Sequence, residues 1–488
     1  MNKTYDVVIV GGGAVGCAIA RELSRYKLKT ALIEKDPDVA GETSGRNSAV
    51  VHAGFNNRTG SLMAKLCVEG NQGFEELCRE LDVPYKKTGK FLVAFDEEDE
   101  RILEGLIKKG EANGCKGLRM VSAEELHEIL PGVGGISAMI SPETAIFDPF
   151  LYTIALAENA VKNGVEVFLS HEVTAIDKTE GGFTVTAGGE EFNAKVVINS
   201  AGLGSAKVAK MAGIDDYEIY PCRGEYFILD TIADEYLKVP VYPAPKPGIG
   251  GLGVHLTPTI HGNVIIGPSA EYLDDGSDYS VTAPILDKLW KEAHDLLPAL
   301  KRSDIIGGFA GIRPKQAPPT EGGYHDFIIK EEEALPGFID LIGIESPGLT
   351  ASVPIARMVC GIVGGILPLT ENEGFDGTHK AALKFKEQTP EKQAELIKEN
   401  PDYGEVVCRC QTITKQEIKD AIENPLGVHT LAGLKYRAWC MTGRCQGGYC
   451  LGRIVEILRD EYGIEPEDVR YRGEGSYMFV KGGAQDEE

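Results

Sequence analysis

The stretch YDVVIVGGGAVGCAIARELSRYKLKTALIEK, residues 5–35, decides the fold of this chain. The apolar, β-branched run Tyr5–Val10 predicts a buried parallel strand, and Ala14–Arg25 has a helical pattern. Thr30–Ile33 predicts a second strand, which ends at Glu34. A strand, a glycine-rich turn, a helix and a second strand in this order indicate a Rossmann-like α/β unit.

The glycine-rich turn has the spacing that a dinucleotide requires. Gly11, Gly13 and Gly16 occupy the three glycine positions of G-x-G-x-x-G. They allow a tight turn, close approach of the backbone to a pyrophosphate, and close packing of helix on strand. Phosphate oxygens would meet the helix N-terminus at Ala14, and Glu34 can accept hydrogen bonds from a ribose. The motif alone leaves FAD and NAD open.

Two later segments favour FAD. In GETSGRNSAVVHAG, small and polar residues around Ser44, Ser48 and His52 would let the backbone lie against a flat ring. KVVINSAG predicts a buried strand that ends at Ala201 and Gly202. This second segment resembles the strand near the dinucleotide in glutathione-reductase-type FAD proteins.

Composition and charge exclude several classes of protein. A length of 488 residues predicts about two to four domains, and 43% hydrophobic with 25% charged residues is typical of globular chains. The formal net charge of -24 would repel phosphodiester backbones, so we expect no nucleic-acid partner. Glycines interrupt the first apolar stretch, and no run approaches the length of a membrane span. We therefore expect a soluble, cytoplasmic protein without direct membrane insertion.

Residues 1 to about 370 resemble the D-amino-acid-oxidase-like superfamily of FAD-dependent oxidoreductases. Within it, SGRNSAVVHAGFNNRTGSLMAKLC resembles glycerol-3-phosphate dehydrogenases and L-2-hydroxyglutarate oxidases. The resemblance implies a glutathione-reductase-type FAD-binding domain with an antiparallel-sheet substrate domain, inserted at approximately 80–190 and 215–310. It also implies removal of a hydride from a carbon that bears a hydroxyl or an amine.

The same resemblance assigns roles to individual residues. His52 would lie beside flavin and substrate and take the hydroxyl proton, whereas simple packing against the flavin is the alternative. Arg313, in GGFAGIRPK, would grip the anionic group of the substrate, with a surface salt bridge as the alternative. Lys315 and His255 are weaker candidates for substrate contacts.

A turn before a late apolar helix would contribute further cofactor contacts. In LIGIESPGLT, the superfamily resemblance implies that backbone N–H groups approach the flavin pyrimidine edge. The candidate residues are Gly348, Leu349 and Thr350.

Five of the eleven cysteines crowd one late segment. Cys408, Cys410, Cys445 and Cys450 follow the spacing C-x-C and, at a distance, C-x4-C. Thiolates ligate soft metals, so four of them on loops ahead of helices can hold iron–sulfur or zinc. Cys440 departs from this pattern, and we interpret it as non-ligating.

GRCQGGYC resembles the [2Fe–2S] domain of bacterioferritin-associated ferredoxin, which is fused to several anaerobic glycerol-3-phosphate dehydrogenases. The resemblance implies a small helical four-cysteine iron–sulfur domain, with zinc as the alternative occupant. We expect an oxidoreductase domain at 1–370, a linker at 371–402, the [2Fe–2S] domain at 403–470 and a tail at 471–488.

These observations predict an FAD-dependent dehydrogenase that oxidises a small anionic alcohol. sn-Glycerol 3-phosphate is the first expected substrate, a 2-hydroxy acid such as L-2-hydroxyglutarate the second, and an amine the third. Electrons would leave through the cluster to an acceptor protein subunit, which could also bring the enzyme to a membrane. The alternative of another class is an electron-transfer subunit of a flavoprotein complex.

Overall fold

A computed structural model describes residues 3–231, 237–246 and 253–480. The helices of this part of the chain are α1 (Ala14–Leu23), α2 (Leu62–Glu80), α3 (Glu97–Asn113), α4 (Ala123–Ile129), α5 (Pro149–Lys162), α6 (Ser205–Met211), α7 (Ala283–Leu296), α8 (Ser352–Ile366), α9 (Pro390–Glu399), α10 (Lys415–Ile422), α11 (Leu431–Ala438) and α12 (Leu451–Tyr462). Its strands are β1 (Lys3–Val10), β2 (Thr30–Ile33), β3 (Val50–Val51), β4 (Tyr85–Lys87), β5 (Lys90–Ala94), β6 (Arg119–Ser122), β7 (Ser137–Ser141), β8 (Ala145–Phe147), β9 (Glu166–Phe168), β10 (Val173–Thr179), β11 (Gly182–Ala187), β12 (Glu190–Asn199), β13 (Tyr220–Leu229), β14 (Val241–Pro243), β15 (His255–Pro258), β16 (Val264–Gly267), β17 (Glu271–Tyr272), β18 (Ile305–Lys315), β19 (Ile328–Glu331), β20 (Phe338–Ile342), β21 (Val406–Cys408) and β22 (Ile413–Thr414).

The first sheet is built around β1, which pairs in parallel with β12 on one side and β2 on the other. Side chains of a strand alternate between its two faces, so Val7 and Ile9 enter one core and Val8 and Val10 the other. Helices α1, α5 and α8 pack against the first core. Apolar layers on both faces account for the uninterrupted β-branched run of β1. The predicted α/β class and FAD-binding architecture are confirmed.

The second sheet is mostly antiparallel and has nine strands in the described chain, in the order β17-β13-β16-β15-β14-β5-β7-β6 with β18 beside β13. Its strands come from two separated segments of the chain, as an inserted substrate sheet requires. The first of these segments is shorter than we expected from sequence. Strands β9–β11 lie in the first sheet instead, because β9 pairs with β2 while β11 pairs with β12 and carries β10 on its outer edge.

The segment predicted as a linker lies against the oxidoreductase part and contains structure of its own. The His379 imidazole lies 2.9 Å from a Glu158 carboxylate oxygen and 3.0 Å from the Leu81 carbonyl oxygen. Helix α9 forms where the sequence suggested only a linker, with Pro390 in its first turn and the Thr389 side chain as its cap. The domain boundaries at 370 and 402 stay predictions, and the last eight residues of the expected tail lie outside the described residues.

The C-terminal module has a separate core, formed by β21, β22 and helices α10–α12. Ile418, Leu434 and Ile454 are fully buried in it. Helix α10 begins with a capping box between Thr414 and Glu417, which satisfies orphan amides at its start. The module is therefore a small helical unit, as the sequence predicts.

Arg437, in α11, connects this module to the segment after β2 and to helix α5. Its guanidinium bonds both carboxylate oxygens of Asp38, at 2.7 and 3.1 Å, and one oxygen of Glu158 at 3.2 Å. Only 6% of the side chain is exposed. Two ring stacks flank the ion pairs, with Trp439 on His261 at 3.6 Å and Tyr436 on Phe150 at 3.9 Å between centroids.

None of the helices in the described ranges combines the length and the apolar character needed to cross a bilayer.

We predict that Arg437→Ala lowers the free energy of unfolding by about 3 kcal/mol, because it leaves the half-buried Asp38 without a cation and the buried Glu158 with His379 alone. Urea unfolding followed by tryptophan fluorescence measures the loss and reports on Trp439 directly. Arg459→Ala is the control, since Arg459 pairs with Asp460 at the surface and should change stability by less than about 1 kcal/mol. Equal losses of unfolding free energy in Arg437→Ala and Arg459→Ala would contradict the role of Arg437 in holding the module.

Candidate functional site

A cavity of about 750 Å³ lies between the end of β1, the segment after β2 and the second sheet. Every predicted cofactor residue except Gly16 lines it: Gly11, Gly13, Ala14, Glu34, Ser44, Ser48, Ala201, Gly202, Gly348, Leu349 and Thr350. His52, Arg313 and His255 line the same cavity. The structure thus brings together residues that lie up to about 340 positions apart in the sequence.

The glycine-rich turn has no room for side chains at two of its glycine positions. Gly11 has a φ of +108°, and a Cβ there would lie 2.7 Å from the Ser200 carbonyl oxygen. A Cβ on Gly16 would lie 1.9 Å from the Gly11 carbonyl oxygen, which places this glycine behind the cavity wall as a packing residue. Gly13 is the N-cap of α1 without a capping side chain, so the helix N-terminus faces the cavity. This arrangement fits a pyrophosphate.

Glu34 closes the nucleotide end of the cavity. Its carboxylate accepts the Gly12 N–H at 2.5 Å and the Asp36 N–H at 2.8 Å. Burial raises its pKa to about 7, despite the two amides that favour the charged form. A buried acceptor at the end of β2 fits a ribose hydroxyl.

His52 lies where the cavity meets the substrate sheet. The backbone N–H of His52 donates to Thr350 Oγ1 at 3.1 Å, and its Nε2 lies 3.5 Å from Ser346 Oγ. Burial, and secondly the charge of Lys90, lower the pKa of the imidazole to about 3. The imidazole is therefore neutral near pH 7.

Arg313 enters the same cavity from β18. It donates to the Ser269 carbonyl oxygen at 2.6 Å, and in the described residues no carboxylate lies within ion-pair distance of it. Its guanidinium keeps donors for an anionic ligand. The surface salt bridge that was the alternative is absent from this part of the chain.

The two weaker candidates differ. His255 stacks on Tyr242 at 3.5 Å between centroids and borders the cavity, with its pKa lowered chiefly by burial. Lys315 lines neither this cavity nor the second pocket described below. Its ammonium bonds both oxygens of Glu345, at 3.1 and 2.9 Å, and is buried. Since that pair neutralises its charge, the structure does not support substrate contact by Lys315.

Sequence reasoning missed several lining residues. Tyr226 and Tyr242 form part of the cavity wall, and the Tyr226 hydroxyl lies 3.3 Å from Ser48 Oγ. Ser346, beside His52, lies within LIGIESPGLT but was not named among its candidate residues. Lys90 was detectable as the charged residue at the start of the apolar strand KFLVA, where all five residues are buried.

The four cysteines of the C-terminal motif converge as two pairs. Cys410 and Cys445 lie at the surface with their sulfurs 3.5 Å apart, while the buried Cys450 contacts Cys408. The Tyr449 amide, followed by Cys410, lowers the pKa of Cys445 and favours a thiolate. No group of three or more potential ligands in the described ranges has the spacing of a single metal ion. Paired thiols suit a two-iron cluster better than one tetrahedral ion.

Cys440 is fully buried close to Cys408 and Cys450. Burial is the main cause that raises its pKa far above the usual range. Burial also raises the pKa of the proposed ligand Cys450, to about 11, so the non-ligating role of Cys440 stays a prediction.

Comparisons with known proteins match both parts of the chain. The profile of the family described as FAD dependent oxidoreductase matches residues 6–362, and that of the BFD-like [2Fe-2S] binding domain matches residues 406–460. A glycerol 3-phosphate dehydrogenase of Caloramator mitchellensis is 39% identical over 98% of both chains. A mitochondrial L-2-hydroxyglutarate dehydrogenase of Caenorhabditis elegans is 34% identical over 73% of this chain and 92% of its own.

Among solved structures, the L-α-glycerophosphate oxidase of Mycoplasma pneumoniae with FAD bound superposes with a TM-score of 0.73. It is 32% identical to this chain, of which it covers 78%, and its own chain is covered completely.

We predict that FAD binds best above pH 7. Below that value Glu34 gains a proton, and the neutral carboxyl is a weaker acceptor for a ribose hydroxyl than the carboxylate is, so the dissociation constant should rise by up to about tenfold per pH unit. Fluorescence titration of the apoprotein with FAD between pH 5.5 and 8.5 measures this dependence. Glu34→Gln should bind more weakly and flatten the curve, and an unchanged curve in that variant would refute the role of Glu34.

Proposed function

Because the chain belongs to the family of FAD-dependent oxidoreductases, we propose that it oxidises sn-glycerol 3-phosphate to dihydroxyacetone phosphate and passes the electrons to an acceptor protein. The observation that carries this proposal is the presence of His52 and Arg313 in the cavity that also contains the dinucleotide-binding glycines. A proton acceptor, an anion-binding group and a cofactor cradle in one cavity are what oxidation of an anionic alcohol requires.

The residues of this chain divide the chemistry between them. Bound FAD supplies the acceptor for the hydride that leaves the substrate carbon. His52, neutral and held near Ser346, accepts the hydroxyl proton at Nε2. Arg313 orients the anionic group by bidentate hydrogen bonds. Tyr226 and Tyr242 cover the site and limit the access of water.

Glycerol 3-phosphate is favoured as substrate because the Caloramator relative, a glycerol 3-phosphate dehydrogenase, matches both parts of the chain. L-2-Hydroxyglutarate is the second candidate, since the oxidoreductase part is also similar to L-2-hydroxyglutarate dehydrogenases. Arg313 could grip a carboxylate as well as a phosphate. A role as a mere electron-transfer subunit is disfavoured by the complete set of His52, Arg313 and cofactor cradle.

The C-terminal module provides the exit for electrons. A [2Fe–2S] cluster, when bound, carries electrons singly, and the proposed ligands are the four paired cysteines. Cys410 and Cys445 lie on the exposed side of the module, with Tyr449 and Arg409 beside them. We place the contact with the acceptor protein on this side.

The substrate is tested by anaerobic absorbance titration of the purified holoenzyme with glycerol 3-phosphate and, separately, with L-2-hydroxyglutarate. Bleaching of the flavin by the first compound at lower concentration supports the proposal. Bleaching by the second alone makes the protein a 2-hydroxy-acid dehydrogenase, and bleaching by neither overturns both.

We predict that His52→Asn slows flavin reduction by about 100- to 10,000-fold, because no other group replaces the proton acceptor. The FAD content and the dissociation constant of the substrate should change little. Stopped-flow absorbance under anaerobic conditions measures the rate constant. His294→Asn is the matched control, since His294 is exposed on α7 and lies outside the cavity. A loss below about tenfold for His52→Asn would exclude general-base catalysis by His52.

We predict that Cys445→Ser removes the cluster and leaves flavin reduction by substrate intact, because the two cofactors occupy separate parts of the chain. The iron content should fall from about two irons per chain towards none, and the visible absorbance of the cluster should disappear. Reduction of an external acceptor should stop. Cys440→Ser should keep the iron. Zinc in place of iron in the parent protein would refute the electron route.

A further inference from the structure

A second pocket of about 460 Å³ meets the active cavity at His52. It is walled by the segment after β3, the start of α2, β5, α3 and the turn that contains Ser346. His52 and Ser346 line both spaces, whereas Arg313 lines only the first and Lys90 only the second. His52 therefore lines the first pocket together with Arg313 and the second together with Lys90.

Lys90 has an unusual environment. The side chain is completely buried, and its Nζ has no hydrogen-bonding partner in the described residues. The ammonium lies 4.3 Å from the ring centre of Tyr242 and 4.7 Å from that of Phe55. Ring contacts of this kind contribute about 2 kcal/mol, less than the cost of burying an unpaired ion. The fold alone gives no reason for a lysine here.

The rest of the second pocket is also basic. Arg58 and Lys109 line it, and the Lys109 ammonium donates to the Asn56 carbonyl oxygen. Asp326 is the one acidic residue among the described lining residues, and its carboxylate accepts the backbone N–H groups of Leu62 and Met63 at 2.7 and 2.8 Å. These neutral amides stabilise the Asp326 carboxylate without cancelling its charge. Basic side chains still outnumber this one carboxylate along the wall of the pocket.

This wall contrasts with the charge of the whole chain. A formal net charge of -24 repels an anionic substrate at long range. A basic pocket that ends at His52 produces a local positive potential beside the proton acceptor, where the reaction occurs. Positive charge concentrated in one pocket of a negatively charged chain favours a path for anions at that pocket.

We propose that the second pocket is an anion-binding subsite through which the phosphate or carboxylate group of the substrate reaches His52, with Lys90 at its buried end. The inference rests on the proposed function, because it assigns the path and first binding site of that substrate. Burial lowers the pKa of Lys90 to about 7, and an anion beside it restores the charged form. The charged form in turn lowers the pKa of His52, which keeps the imidazole unprotonated.

The binding test uses the holoenzyme, with inorganic phosphate and glutarate as separate probes in isothermal titration calorimetry at several ionic strengths. Lys90→Met keeps an unbranched apolar side chain, with sulfur in place of Cδ, and removes the ammonium group with its charge. We expect this variant to raise the dissociation constant of at least one probe by about tenfold or more. Phosphate as the affected probe supports a phosphate ester as substrate, and glutarate supports a carboxylate.

A second pair of variants keeps the test valid if Lys90→Met folds poorly. Lys109→Gln should weaken binding by about threefold and reduce its dependence on salt. Lys108→Gln is the matched control, because Lys108 is the exposed neighbour of Lys109 on α3 and does not line the pocket. Equal behaviour of the two variants, or a change below twofold in both probes for Lys90→Met, overturns the subsite.

The outcomes for subsite and function are separable. If anion binding depends on Lys90 but no substrate bleaches the flavin, the subsite stands and the proposed reaction falls. If glycerol 3-phosphate bleaches the flavin at the same concentration in the parent and in Lys90→Met, the reaction stands and the subsite falls.

Discussion

The parallel pairing of β1 between β12 and β2 is the constraint on which the remaining structure depends. It brings the end of β1 against Ser200, where the chain can turn only because Gly11 has no side chain. The same turn sets the start of α1 and leaves Gly16 in contact with the Gly11 carbonyl. A one-residue shift of register would move every side chain of β1 to the opposite face and would bury the glycines in the wrong place.

The catalytic end of the cavity depends on a different kind of contact. His52 lies just after the two-residue strand β3, and Thr350 and Ser346 hold it from the segment before α8. Arg313 lies on β18 of the second sheet. The chemistry therefore forms only when both sheets are complete and packed together, which couples activity to the fold of the whole oxidoreductase part.

The sequence predicted the parts that have a local signal. The bounds of β2 agree with the prediction, and the glycine motif identified the cofactor cradle because its requirements are steric and lie within one short segment. The pairing of Lys315 with Glu345, the membership of β9–β11 in the first sheet and the basic second pocket could not be predicted in this way. Each depends on which distant segments meet, and a single sequence holds no direct record of those contacts.

Buried cations in this protein fall into two groups with different purposes. Arg437 and Lys315 have carboxylate partners, so their burial is compensated within the chain and they hold segments together. Lys90 and Arg313 have no carboxylate partner in the described residues. Lys90 is completely buried and its Nζ has no hydrogen-bonding partner in this part of the chain, whereas Arg313 donates to the Ser269 carbonyl oxygen. Each of the two cations lines a pocket that His52 also lines. Burying a charge without a counter-ion destabilises a fold, so such residues persist where a ligand supplies the missing charge. In an acidic chain with many carboxylates available, the absence of a partner for these two cations is itself evidence that the site is built for an anion.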